Sequence, residues 1–321
     1  MYFSILSIVA LATASSVTLG QSSGCGKDIP ASFPQPGLNT TVTLGDREFQ
    51  LFIPAHYEKS LPAPVYFSYH GASRDMYEEI GLSQFSNPEF NKDGIAVYPN
   101  SKNGYWLSNP KANVTRPNDL DFTNDVLTYL EESLCVDTTR VYAGGKSNGG
   151  GMVGVLACNA TVGARFAAFA AVSGAWYNTT EIDGVGTCAP LPREEGYPFL
   201  EFHGVIDTTA PIDGKNATHP KLAVIDILEQ WAELNGCPKG AEWASNETVF
   251  TEPLVKHASW NCGGKNGIVQ HYREGDNGHC WPSTVSNDDY VRLAAQCPLG
   301  HYVFNATEYI FDFFSHHQLN P

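Results

Sequence analysis

Residues Tyr142–Asn159 read YAGGKSNGGGMVGVLACN, a serine set among glycines between a β-branched run and an apolar run. The stretch TTRVYAGG (Thr138–Gly145) predicts a buried strand, and GGGMVGVLACN (Gly149–Asn159) a helix that starts just beyond Ser147. Gly145-Lys146-Ser147-Asn148-Gly149 is a G-x-S-x-G pentapeptide, and the strand–turn–helix context is what makes that pattern meaningful. So sharp a turn brings the flanking backbone together until side chains collide, which accounts for the glycines. It also drives the serine into a sparsely populated conformation and leaves its oxygen at a helix N-terminus, where N–H groups and the positive dipole end gather. The plainer alternative is a glycine-rich loop that only turns the chain, and the rest of the sequence has to decide between them.

Working outward, strand-like and helix-like segments alternate. Thr41–Pro54 reads as a hairpin turning at Gly45-Asp46, and Pro64–Gly71 and Gly94–Asn100 are short apolar strands. Asp119–Cys135 is an amphipathic helix with Phe122, Val126, Leu127 and Leu130 on one stripe. Phe166–Gly174 and Tyr197–Gly204 are further buried strands, Lys221–Leu234 a helix, Gly267–Asp276 a last strand and Asn305–Leu319 a C-terminal helix. Central strands that are apolar throughout predict an α/β fold with a mostly parallel central sheet and helices on both faces. No internal repeat, low-complexity linker or second composition regime interrupts residues 21–321, which are expected to form one domain.

The 321 residues are 42% hydrophobic, enough for one substantial core, and the net charge is −15. Binding to nucleic acid or to an anionic membrane requires clustered Lys and Arg, and no basic block exists, so neither is expected as a partner. Residues 1–20 carry no charged side chain and hold an apolar stretch from Phe3 to Ala14. That stretch is too short to span a bilayer and reads as a secretory signal peptide, although its N-terminal region lacks Lys or Arg. The eight cysteines all follow it, even in number and scattered rather than paired as C-x-x-C, so they predict disulfides rather than zinc. Sequons at Asn39, Asn113, Asn159, Asn178, Asn216, Asn246 and Asn305 agree with a secreted, extracellular glycoprotein.

A serine hydroxyl is inert without a base to take its proton and a carboxylate to orient that base. In this chain order the acid comes next and the histidine last. FLEFHGVIDTTAP ends a strand at His203-Gly204 and puts Asp207 in the loop beyond it, where a parallel sheet builds its site. Asp213, six residues later, is the fallback, and a turn aspartate with no catalytic part is the plain alternative for Asp207. Among ten histidines, His279 in DNGHCWP lies in a loop between the last strand and the C-terminal helix, as the order requires. His257 and His271 fall in strand-like stretches, His316 and His317 at the end of the last helix, and His56 too early. A disulfide at the neighbouring Cys280 would pin that loop and hold the imidazole in place.

Acyl transfer also needs donors for the developing oxyanion. The Asn148 amide is one by motif position, and the loop SYHGASRD supplies a second from Gly71 or Ala72. Trp106, Trp176 and Trp281 fall in loops at the same expected face, where they are candidates for walling a flat apolar pocket, although each alone is more often core packing. No HExxH, EF-hand, P-loop or dinucleotide fingerprint occurs in a fitting context, so no metal and no cofactor is expected.

With Ser147, Asp207 and His279 in order, the chain resembles secreted fungal feruloyl esterases of the α/β-hydrolase fold, within a wider group that includes acetylxylan esterases and polyhydroxyalkanoate depolymerases. The stretches SYHGASRD, LDFTNDVL, GKSNGGGMVGVLAC, FLEFHGVIDTTAP, GHCWPST and FDFFSHH carry the resemblance and cover nearly the whole chain after residue 20. Cys280 departs from it, standing where Asp or another polar residue is more usual. The resemblance implies a monomeric carboxylic ester hydrolase cleaving hydroxycinnamoyl esters of plant cell-wall polysaccharides such as arabinoxylan and pectin, with Ser147 as nucleophile, Asp207 as orienting acid and His279 as base. Acetylxylan esterase and polyester depolymerase are the alternatives, and a catalytically silent binding module of the same fold is a third.

Overall fold

The computed structural model describes residues 20–320 other than 113, 114, 116, 178–187, 189, 191 and 216–221. Residues 1–19 of the segment expected to be a signal peptide, and the sequons at Asn113, Asn178 and Asn216, therefore lie outside the described residues. Ten strands form one sheet. In chain order they are β1 (Asn39–Leu44), β2 (Arg47–Phe52), β3 (Ala63–Tyr69), β4 (Ile95–Pro99), β5 (Val136–Lys146), β6 (Ala168–Val172), β7 (Phe199–Gly204), β8 (Ser245–Thr251), β9 (Leu254–Cys262) and β10 (Lys265–Glu274). Their spatial order is β1-β2-β4-β3-β5-β6-β7-β10-β9-β8. The middle run from β4 to β10 is parallel throughout, and the strands outside it on either flank pair antiparallel.

Side chains on a strand alternate between faces, and both faces of this sheet are covered. Val65, Phe67 and Tyr69 of β3 and Phe169 and Ala171 of β6 join one core with α2 (Asp119–Ser133), α3 (Asn148–Cys158) and α4 (Val224–Leu234). Ala168, Ala170 and Val172 of β6 and Leu200 and Phe202 of β7 join the other, against α1 (Met76–Ser83) and α6 (Ala306–Ser315). A capping box at Asn118 and Asp121 starts α2, and the Asp75 carboxylate caps α1 by accepting from the Tyr77 and Glu78 amides.

Four elements lie outside the sequence reading. The helices α1 and α5 (Asp288–Arg292) are short, and β8 and β9 stand between α4 and β10, where the sequence predicts no strand. The strand β8 is an edge, its residues mostly exposed, so it has no apolar run to betray it. Asn305 is buried, and its Oδ1 accepts from the Thr307 amide at 3.0 Å to cap α6. Asn39 and Asn246 are exposed, on the two edge strands.

All eight cysteines pair, as Cys25–Cys135, Cys158–Cys188, Cys237–Cys262 and Cys280–Cys297. Because the central strands are parallel, the loops after β3, β5, β7 and β10 leave the same edge of the sheet. Those loops carry Gly71 and Ala72, Ser147, Asp207 and His279, respectively.

Candidate active site

Ser147 is the single residue between β5 and α3, at φ 55° and ψ −115°. A non-glycine residue there costs on the order of 1–3 kcal/mol and persists only where its surroundings hold it. Here the Ser147 N–H donates to Val172 O at 3.0 Å, and its carbonyl accepts from the Gly151 and Ala175 amides at 3.0 and 2.9 Å. The glycines answer a steric demand. A Cβ on Gly145 would meet the Gly149 carbonyl at 2.5 Å, and one on Gly149 would run into the Tyr69 carbonyl oxygen of β3.

His279 reaches Ser147 from the loop after β10. Its Nδ1 lies 2.6 Å from Asp207 Oδ2 and its Nε2 lies 2.8 Å from Ser147 Oγ. The ionised carboxylate can only accept, so Nδ1 carries the proton and Nε2 is free to accept from the serine hydroxyl. The other Asp207 oxygen accepts from the Thr209 and Ala210 amides at 2.8 and 2.7 Å. Burial opposes the charge on Asp207, but His279, His203 and the Ala210 amide outweigh it and bring its pKa down to about 2. His279 is held below the usual imidazole value, first by burial and then by the cation of Lys146, against the pull of Asp207. At neutral pH the pair is therefore a carboxylate and a neutral imidazole. Asp213, the fallback acid, is exposed and pairs with Lys215 at 3.1 Å.

Three tethers fix the His279 loop. Lys146 Nζ donates to the His279 carbonyl at 2.9 Å and lies 3.4 Å from Asp289 Oδ2. That same Asp289 oxygen accepts from the Trp281 amide at 3.0 Å, and Cys280 is bridged to Cys297. Lys146 sits inside the pentapeptide, where the motif leaves its identity open, so nothing in the pattern marks it. Its partner lies on a five-residue helix, α5 (Asp288–Arg292), with no periodicity to announce it.

The loop after β3 approaches from the other side. A Cβ on Gly71 would stand 3.6 Å from the Ser147 Cβ, and Gly71, Ala72, Ser147 and His279 border one cavity of about 170 Å³. His70 donates from Nδ1 to Gly71 O at 2.7 Å and accepts from the Ser101 amide at Nε2, at 3.2 Å. Burial pushes this imidazole down to about 4, so it stays neutral and holds that carbonyl. In a trans peptide C=O and N–H point oppositely, so the Ala72 amide faces away from His70. Asn148, the first residue of α3, is fully buried and uses its side chain to bind the Trp106 amide at 2.9 Å.

The three tryptophans correct the expected pocket. Trp106, Trp176 and Trp281 are 0%, 1% and 0% exposed and line no part of the cavity. Trp106 donates from Nε1 to His70 O at 2.8 Å and so supports the loop of Gly71 from beneath. Trp176 packs edge-on against Phe199, and Trp281 donates to Thr307 Oγ1 at 3.1 Å. Large rings bury more apolar area in a core than a loop position can offer, and these three follow that gain. The cavity is bounded instead by Arg74, Glu78, Asp288 and Arg292 beside Leu82 and Leu293. Arg292 Nη2 lies 2.6 Å from Glu78 Oε1.

A parallel sheet flanked by helices, with a serine on a strained turn and a histidine and acid on later loops of the same edge, is the architecture of the α/β-hydrolases. The fold matches solved members of that class. Acetyl xylan esterase from Aspergillus awamori superposes with a TM-score of 0.60 at 18% identity, covering 76% of this chain and 94% of that one. A thermostable esterase gives 0.53 at 13% identity, covering 88% and 62%. In sequence the chain is similar to feruloyl esterase C of Emericella nidulans, 29% identical over 222 residues that make up 67% of this chain and 70% of that one. A probable feruloyl esterase C of Aspergillus oryzae is 29% identical over 236 residues, 72% and 75% of the two chains. No protein-family model matches the chain.

Proposed function

We propose that the protein is a serine-dependent carboxylic ester hydrolase acting on feruloyl and related hydroxycinnamoyl esters of plant cell-wall polysaccharides. The observation that carries this is the unbroken run Ser147 Oγ, His279, Asp207 at the mouth of a cavity, in a chain similar to feruloyl esterases over most of its length. Ser147 Oγ attacks the ester carbonyl and its proton passes to His279 Nε2. The carbonyl electron pair moves onto oxygen, where the amides of Asn148 and of Gly71 or Ala72 receive it. Collapse expels the sugar alkoxide, which takes the proton back from His279. Water then repeats the sequence on the acyl-enzyme and releases the acid.

Four disulfides and the uncharged stretch of residues 1–20 support a secreted enzyme; in this reading residues 21–321 are one hydrolase domain and the enzyme is a monomer. No helix of the described residues is long and apolar enough to cross a membrane. A second reading, an acetylxylan esterase, has the small, charged cavity on its side, since a short acyl group needs no aromatic slot.

Rates on methyl ferulate, p-coumarate, caffeate and sinapate beside acetyl esters separate the two readings, with the hydroxycinnamates expected to be preferred. Ser147→Ala is expected to lower turnover about 10⁴-fold or more and to abolish labelling by a fluorophosphonate. A variant that keeps near-normal rates would overturn the nucleophile assignment.

A further inference from the structure

Behind Asp207, away from the serine, lies a buried cluster that the reaction as derived does not use. Glu201 and His203 stand two residues apart on β7, both 0% exposed, and His271 on β10 is the register partner of Glu201. His203 Nδ1 lies 2.7 Å from Glu201 Oε1, and His271 Nδ1 lies 2.8 Å from Glu201 Oε2. The other nitrogen of His203, Nε2, is 2.7 Å from the Ala210 carbonyl and 3.5 Å from Asp207 Oδ2.

A carbonyl can only accept, so His203 Nε2 carries a hydrogen. A carboxylate likewise only accepts, so Nδ1 carries one too unless Glu201 is protonated. Glu201 is not the proton's preferred place. Burial opposes its charge, but the two imidazoles outweigh burial and hold its pKa below the usual carboxylate value. His203 is subject to the same contest: burial pulls it down, and the charges of Glu201 and Asp207 with the Glu201 hydrogen bond raise it to about 9. Glu274 on β10, raised by burial to about 8, also senses the His203 charge, together with that of Lys146 from β5. Arg273, the register partner of His203 on β10, is exposed.

We propose that His203 is a positioning residue: an imidazolium clamped between Glu201 and Asp207 that anchors the Asp207–Ala210 turn and tempers the pull of Asp207 on His279. The anchoring is direct. Asp207 Oδ1 gathers the Thr209 and Ala210 amides, and His203 grips the carbonyl of the same Ala210, so the acid is tied at both ends of its turn. The tempering follows from distance, since the His203 ring nitrogen lies 3.5 Å from Asp207 Oδ2 and its charge acts on that carboxylate. Without it Asp207 would stabilise a protonated His279 more strongly, and the base would be lost to protons at a higher pH.

The inference rests on the esterase reading only for its activity arm. In wild-type protein, ¹⁵N NMR of the ring nitrogens at pH 7.5 is expected to show His203 protonated at both positions. A neutral ring there would overturn the proposal, and this arm decides it even in a protein inactive on esters. In His203→Gln the acid limb of kcat/KM is expected to move up by about half to one pH unit, with kcat lowered about tenfold or more and KM little changed. The direction is the same whether or not Glu201 then takes up a proton, because the charge lost is the one nearest Asp207. An acid limb that stays in place, whatever happens to kcat, makes His203 merely structural and ends the proposal.

Discussion

The two sides of the site are held by different physics. The Ser147 turn is fixed chiefly by backbone: its own N–H and C=O bonds, and a turn so tight that Gly149 abuts the Tyr69 carbonyl. His279 is fixed by side chains and a covalent bridge, each coming from elsewhere in the chain: Lys146 from β5, Asp289 from α5, Cys297 beyond it and Asp207 from the loop after β7. A backbone turn is either made or not made. A loop held by several tethers degrades one tether at a time, so substitutions on the two sides are expected to differ in kind.

The largest effect is expected from Gly149→Ala. The added Cβ faces a backbone oxygen of the central sheet, which cannot step aside as a flexible side chain would. We expect a loss on the order of 3 kcal/mol, read as a fall in Tm, together with activity reduced beyond what the residual folded fraction accounts for. A variant with wild-type Tm and rate would mean that the turn relaxes easily, and the contrast between the two sides would disappear.

Lys146→Met tests the other side at intermediate strength. It removes the donor to the His279 carbonyl and leaves Asp289 without its buried cation, a change that costs about 3 kcal/mol when such pairs are broken. The pH profile separates positioning from stability. His279 is held low first by burial and then by Lys146, so without the cation its pKa rises and the acid limb of kcat/KM moves to higher pH. Lys146→Met with Asp289→Leu is expected to recover part of the stability and, because Asp289 itself raises His279 by less than Lys146 lowers it, to return the acid limb only in part. An acid limb unmoved in the single variant would show that Lys146 takes no part in holding His279 low.

This division also explains what could be read in advance. The turn at Ser147 is encoded in contiguous residues, because its steric demand falls on Gly145 and Gly149, and strand and helix follow at once. The central strands β3 to β7 are buried on both faces and so legible as apolar runs, whereas β8, an exposed edge, leaves no pattern. Asp207 and His279 were reachable through chain order. Lys146, Asp289, Glu201 and His203 were not, since each owes its part to a partner distant in sequence that no spacing announces. The tryptophans misled for the same reason. A loop position in the sequence does not say whether a ring turns to the cleft or into the core, and here all three turned in.

The smallest effect on activity belongs to the bridge between Cys280 and Cys297, and it isolates the covalent tether from the others. It closes a loop with a sequence separation of 17 next to His279, within the buried cluster that also holds Leu200 and Phe202. In the chain-entropy account a loop of that size contributes about 3 kcal/mol by restricting the unfolded chain. In the folded enzyme Lys146 and Asp289 still hold the loop after the bridge is opened, so the imidazole gains freedom without leaving its place. Cys280→Ser with Cys297→Ser is therefore expected to lower kcat by a few-fold to about tenfold at a temperature well below the new Tm, with KM and the acid limb unchanged, since no charge near His279 is altered. Combined with Lys146→Met, the loss in kcat should exceed the product of the two single losses, because the second tether is removed from a loop already loosened. Strictly multiplicative losses would mean that the tethers act on His279 independently, and that the loop is no more cooperative than the turn facing it.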